Sequence, residues 1–220
     1  MTFKKKLIGS LIAVAGTASL TFGGYAAVNK TVFHANIGIS STQQTPAPQN
    51  LTVDGNKLTA SITNSNPKDY KLDYNDSNNN RHATFEMQTY DDAQSAADSL
   101  NYFGQQDGTK DKLKDGKQAT SQGTLGHVYT HWNQENWSIT TVTPSEAAGG
   151  PNPATFASQV ASQLSQYPLP SENVNHGAIV LYSTNESELA NTVRWQANKR
   201  VYQVTSDQSN LAIQLSHHAN

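Results

Sequence analysis

Asp54-Gly55 stands between two short runs, Leu51-Thr52-Val53 and Leu58-Thr59-Ala60-Ser61-Ile62, in which apolar and polar residues alternate. Alternation sends successive side chains to opposite faces of a strand, and Asp-Gly tolerates the positive φ angles of a tight two-residue turn. The combination predicts a β-hairpin and commits the chain to antiparallel pairing. The grammar then returns twice. Residues 126–132 and 137–143 read as strands joined by Asn133-Gln134-Glu135-Asn136. Residues 192–195 and 200–204 read as a second pair, joined through Ala197-Asn198-Lys199. Residues 178–182 are apolar throughout, the pattern of a central strand.

Helical spacing appears between these hairpins. Ala93, Ala96, Ala97, Leu100 and Phe103 form one stripe, with Asp91 or Asp92 to cap it and Gly104 to end it. Asn152 caps a second helix with Pro153 at its first position, where the missing N–H costs nothing; Phe156, Val160 and Leu164 line it, and Pro168 and Pro170 stop it. A third starts near Ser209, although Leu211, Ile213 and Leu215 alternate and suit a helix poorly. Residues 64–81 and 105–124 read as polar loops. A tryptophan-bearing hairpin followed by a helix thus occurs twice, at 126–166 and 191–217. The expected class is α+β, an antiparallel sheet built from hairpins with about three helices packed on one face.

The N-terminus carries a different signal. Lys4-Lys5-Lys6 precedes an uncharged run from Leu7 to Val28, and Lys30 follows. This is the pattern of a secretory signal. As a helix the run reaches roughly 33 Å, enough for a hydrocarbon core of about 30 Å, and the lysines hold their end in the cytoplasm. Cleavage after Ala26 would leave Gly24 and Ala26 at the small-residue positions, but no A-x-A ends the run. Residues 1–30 are therefore read as a signal peptide or an uncleaved signal anchor. Residues 31–50, rich in Ser, Thr, Gln and Pro, read as a flexible tether, and 51–220 as a single extracytoplasmic domain. The expected location is the outer face of the cytoplasmic membrane, or the medium if the segment is cut.

Composition narrows the partners. Asn, Gln, Ser and Thr supply 81 of 220 residues, while charged residues are only 15%, against about a quarter in an average domain. From residue 31 onward 11 bases face 17 acids, a net charge of −6. Such a surface gains nothing from the counterions of a phosphate backbone, so no nucleic acid is expected. There is no cysteine. That excludes a Cys nucleophile, a thiolate zinc site and a lipid-modified N-terminal cysteine, and it leaves an exported domain to stand on its core alone.

Trp195-x6-Tyr202 followed by a helix resembles the C-terminal element of small extracytoplasmic α+β domains of Gram-positive bacteria. The whole chain, signal segment and amide-rich composition included, resembles uncharacterised N-terminally anchored cell-surface proteins of lactic-acid bacteria. The resemblance implies location and fold class and transfers no catalytic residue.

His127 and His131 would share a face on a helix. On a strand four residues span roughly 13 Å, too far for one zinc with bonds of about 2 Å. The Asn/Asp-rich stretch after Asp73 puts Asn78 and Thr84 where a calcium loop needs Gly and Glu. Ser65-Asn66-Pro67-Lys68 matches S-x-x-K without its companion motifs. No cofactor, metal site or catalytic residue is expected.

Aromatics remain. Trp132 and Trp195 read as core, and Tyr129, His131 and Trp137 as binding residues, with Tyr129 and His131 on a surface face of their strand. The expected function is a non-enzymatic module that binds cell-wall polymer, a peptide or a partner protein. The competing class is an extracytoplasmic hydrolase whose site joins His127 or His131 to a carboxylate.

Overall fold

The computed structural model of the chain describes residues 47–66, 68–76, 81–145, 150–184 and 190–219. The expected export segment, and the expected tether up to residue 46, lie outside the described residues. Among those described, the elements in chain order are β1 (Asn50–Val53), β2 (Asn56–Ser65), β3 (Asp69–Asp76), β4 (His82–Thr89), α1 (Ala93–Asp98), β5 (Thr109–Lys112) and β6 (Gln118–Thr124). There follow β7 (His127–Gln134), β8 (Trp137–Pro144), α2 (Pro153–Gln166), β9 (His176–Tyr182), β10 (Asn191–Ala197), β11 (Arg200–Ser206) and α3 (Ser209–His217). The strands join one sheet in the order β1-β2-β3-β4-β11-β10-β9-β8-β7-β6-β5. The fold is α+β, an antiparallel sheet of several hairpins with three helices packed alongside it.

The hairpins form where alternation and turn chemistry agree. Asp54 and Gly55 take φ of 50° and 79°, the left-handed pair that a two-residue hairpin turn demands, and Val53 pairs with Asn56 across it. Glu135 and Asn198 take φ of 52° and 57° at the corresponding turns of β7–β8 and β10–β11. The parallel pair β8–β9 is joined through α2, because parallel neighbours require a crossover rather than a hairpin. Asn152 caps α2 through a 3.0 Å bond from the Thr155 N–H, and Asp92 caps α1 through a 2.7 Å bond from the Ser95 N–H.

One face of the sheet carries the main core. Register aligns Leu72, Phe85, Val204, Val193, Ile179, Ile139 and Trp132 into a row across seven strands, and all seven are buried. The neighbouring row runs Tyr70, Met87, Tyr202, Trp195, Gly177 and Trp137. Its rings touch in sequence, Trp137 to Trp195 at 6.4 Å and Trp195 to Tyr202 at 5.4 Å between centroids, and Tyr202 reaches Phe85 of the first row at 6.1 Å. Val160 and Leu164 of α2 and Leu211, Ile213 and Leu215 of α3 close this core. Ala47, within the expected tether, is buried in it, and the Tyr74 hydroxyl donates to the Pro48 carbonyl. A smaller cluster joins Ala96 and Leu100 to Val201. Val201 alternates with Tyr202 along β11, so α1 meets the sheet from the other side.

Three local readings need correction. Residues 64–81, read as a loop, contain β3: Tyr70, Leu72 and Tyr74 are buried while Lys71, Asp73 and Asn75 are half-buried between them. Residues 105–124, also read as a loop, hold β5 and β6, closed by the Leu113 N–H donating to the Lys117 carbonyl at 2.9 Å. Helix α1 ends at Asp98 rather than near Phe103. Asn101 turns left-handed at φ 55°, and the Phe103 N–H donates to the Ser138 hydroxyl instead of to a helical carbonyl.

A polar cleft at the end of the sheet as candidate functional site

Helix α1 and the segment after it carry the chain from β4 to β5, at the opposite edge of the sheet. To get there they run over the face turned away from the main core. The Gln196 amide donates to the Ala93 carbonyl at 2.7 Å, and the Asn133 amide to the Phe103 carbonyl at 2.9 Å. Tyr102 packs on His176 with centroids 4.7 Å apart. The crossing is thus pinned to β10, β9, β8 and β7 in turn.

The face under it is polar. Register strings Ser61, Asp73, Thr84, Thr205, Thr192, Val180, Thr140, His131, Thr120 and Lys110 into one row over ten strands. At about 4.8 Å between strands the row is about 43 Å long. The adjacent row carries Lys71, Glu86, Gln203 and Arg194. Lys71 Nζ lies 2.8 Å from Glu86 Oε1, and Arg194 is buried, with burial drawing its guanidinium below its ordinary value against the pull of Tyr90 and Glu86.

Where the crossing reaches β5 it leaves a cleft of about 240 Å³, lined by Gln105, Gln106, Lys110, Gln118, Thr120, His131, Trp132 and Asn133. The crossing segment contributes the two adjacent glutamines, β5 the lysine, β6 Gln118 and Thr120, and β7 the rest. His131 is fixed on both ring nitrogens. Nε2 lies 3.0 Å from the Gly104 carbonyl and 3.3 Å from Asn133 Oδ1, and Nδ1 lies 3.1 Å from Thr140 Oγ1. Since a carbonyl only accepts, Nε2 carries the proton and Nδ1 accepts from the threonine hydroxyl. Burial lowers the His131 pKa, opposed by its bonds to Asn133 and Gly104, so the ring is neutral at pH 7. Lys110 Nζ donates to Thr120 Oγ1 at 3.2 Å.

Among the described residues no carboxylate lines the cleft. The groups around His131 are a hydroxyl, a carbonyl and an amide, which orient an imidazole but give it no charged partner for the relay a hydrolase uses. What the lining offers is hydrogen bonding. Among the described residues no group of three His, Asp or Glu side chains is placed to hold a metal ion. His127 and His131 lie on strand β7, and the His127 ring is held near the Leu125 carbonyl at 3.2 Å.

The three residues expected to bind are separated. Tyr129 is half-buried on the same face as His131. His131, expected at the surface, is only 5% exposed, because the crossing segment lies over it. Trp137 is 4% exposed and sits in the aromatic row of the main core, on the far side of the sheet from the other two. Trp132 and Trp195 are buried, as the sequence leads one to expect. Sequence reasoning missed Gln105, Gln106 and Gln118 in a stretch read as loop, and it takes Lys110 for part of a solvated basic run, Lys110 to Lys117. Asp115-Gly116 was the signal there, the same dipeptide that marks the first hairpin, with Gly116 at φ 86°.

Comparison of the chain with protein-family models, with curated proteins and with solved structures gives no match.

Proposed function

We propose that this chain is an exported, N-terminally tethered cell-surface module that binds a polar ligand, above all cell-wall polymer, through the cleft beside His131, without catalysis. The lining of the cleft carries the reading. Four amide side chains, a threonine hydroxyl and a lysine converge there around a neutral, immobilised histidine, an inventory of donors and acceptors suited to hydroxyls and amides of a ligand. Lys4-Lys5-Lys6 with the uncharged run after it, and the polar stretch that follows, support export and tethering.

Two experiments test the reading. Full-length protein is incubated with isolated Gram-positive cell walls and sedimented. Retention should be strong for the parent and lost in the Gln105→Ala, Gln118→Ala double variant, whose exposed positions leave the melting temperature unchanged. Retention that survives the double change removes the cleft from the proposal. Cell fractionation should place the protein with membranes or in the medium, and a mainly cytoplasmic pool defeats the export reading.

A further inference from the structure

We infer that the cleft reads a single negative charge, and that Lys110 recognises the carboxylate of an acidic sugar unit in the polymer; this rests on the cleft being the binding site. The charge distribution carries the inference. Beyond residue 30 the chain has a net charge of −6, yet among the described residues the formal charge of the cleft's lining is that of Lys110 alone. Among the described residues no carboxylate oxygen lies within 4 Å of its ammonium, which donates instead to the Thr120 hydroxyl. Asp111, its neighbour on β5, is turned away and held by Ser121. His131, the other titratable group of the lining, is kept neutral by burial and neither competes for the anion nor repels it.

The rest of the lining fixes the ligand class. The Gln105 and Gln118 amides, from the crossing segment and from β6, have no hydrogen-bond partner among the described residues, and each offers both a donor and an acceptor. Among the described residues Trp132 is the one apolar member of the lining, and they form no aliphatic recess for a peptide side chain. At about 240 Å³ the cleft falls below the roughly 300 Å³ at which drug-sized sites begin, and it takes one ring rather than several. A polyhydroxylated ring bearing an amide and one carboxylate meets all of these conditions.

The probes are N-acetylmuramic acid and N-acetylglucosamine, which differ by one carboxylate-bearing lactyl group. Each is titrated calorimetrically into detergent-solubilised full-length protein at low and high salt. The acidic sugar should bind at least about tenfold tighter, the worth of one charge-assisted hydrogen bond, and that preference should shrink as salt rises. Lys110→Gln should erase the preference and Lys110→Arg should keep it, both with the parent's melting temperature, since residue 110 is exposed. Equal affinity for the two sugars overturns the inference, as does a preference that persists in Lys110→Gln. So does equally tight binding of N-acetyl-alanyl-alanine, which would make the ligand a peptide carboxylate. If the parent sediments with walls, the Gln105→Ala, Gln118→Ala variant does not, and neither sugar binds, the charge inference falls while the binding reading stands. If the parent fails to sediment with walls as well, both fall.

Discussion

The indole of Trp137 lies over Gly177, filling the space in which any other residue at 177 would carry its Cβ. A Cβ built on Gly177 would stand 2.6 Å from Trp137 Cδ2, with Cε3 and Cζ3 of the same ring closer still. The two residues are register partners in the parallel pair β8–β9, and the bare backbone lets Trp137 reach Trp195 across the intervening strand. Gly177→Ala should therefore be destabilising, by the roughly 1–3 kcal/mol of an overpacked core. Chemical denaturation measures it. In a Trp137→Leu background the same change should cost less, since the obstructing ring is gone, and additive costs would mean that the ring is not the obstacle.

Trp195 sits in the middle of the aromatic row, between Trp137 and Tyr202, and is 3% exposed. Trp195→Ala should cost about 3–5 kcal/mol, enough to unfold or nearly unfold the domain. Tyr129→Ala, at a half-buried position on the polar face, should leave a cooperative transition within about 1 kcal/mol of the parent. Equal losses from the two changes, read from denaturant midpoints, would place Tyr129 in a second core.

The hairpins were legible because alternation and turn residues are local. The Asp54-Gly55 turn, the Trp132 and Trp195 strands and the Asn152 cap all declare themselves within a few residues. β3 was hidden because Tyr70, Leu72 and Tyr74 are outnumbered by the Asn and Asp around them, so that composition masked a period of two. Helix α3 looked irregular for the opposite reason. Residues 211–216 are all buried, so no polar face remained to show a period. The cleft depends on a longer-range fact. Gln105 and His131 meet only because β5 pairs at the edge of the sheet farthest from β1, and strand order is written in no short stretch of residues. Burial of His131 follows from that same crossing, which is why alternation within β7 placed it at the surface.

Asn152 offers a test of local encoding. Its side chain accepts from the Thr155 N–H at 3.0 Å and begins a helix whose Ala157, Val160, Ala161 and Leu164 are buried. Asn152→Ala removes the cap without touching those contacts and should cost about 1 kcal/mol. Asn152→Asp should recover most of it, because a carboxylate caps equally well and also suits the positive end of the helix. An alanine variant as stable as the parent would show that α2 is held by packing alone.

The buried imidazole of His131 should make stability depend on pH. Burial holds its pKa in the folded protein below the ordinary value near 6.5, its bonds to Asn133 and Gly104 notwithstanding. Above about pH 6.5 both folded and unfolded states carry a neutral ring, and the full stability is present. As the pH falls below that value the unfolded state takes up a proton that the folded state refuses. The unfolded form then binds more protons, and stability declines until the folded pKa is passed. His218 is shifted the same way by burial and by His217, so the wild-type slope alone does not assign the effect. The comparison with His131→Gln does, since an amide can bond to Gly104 and Thr140 but does not titrate in this range. Melting temperatures recorded between about pH 7.5 and 5, above the ordinary range of carboxylates, should fall more steeply for the parent than for the variant. Parallel curves would mean that His131 is protonated as readily folded as unfolded, and hence that the crossing segment opens to water in solution.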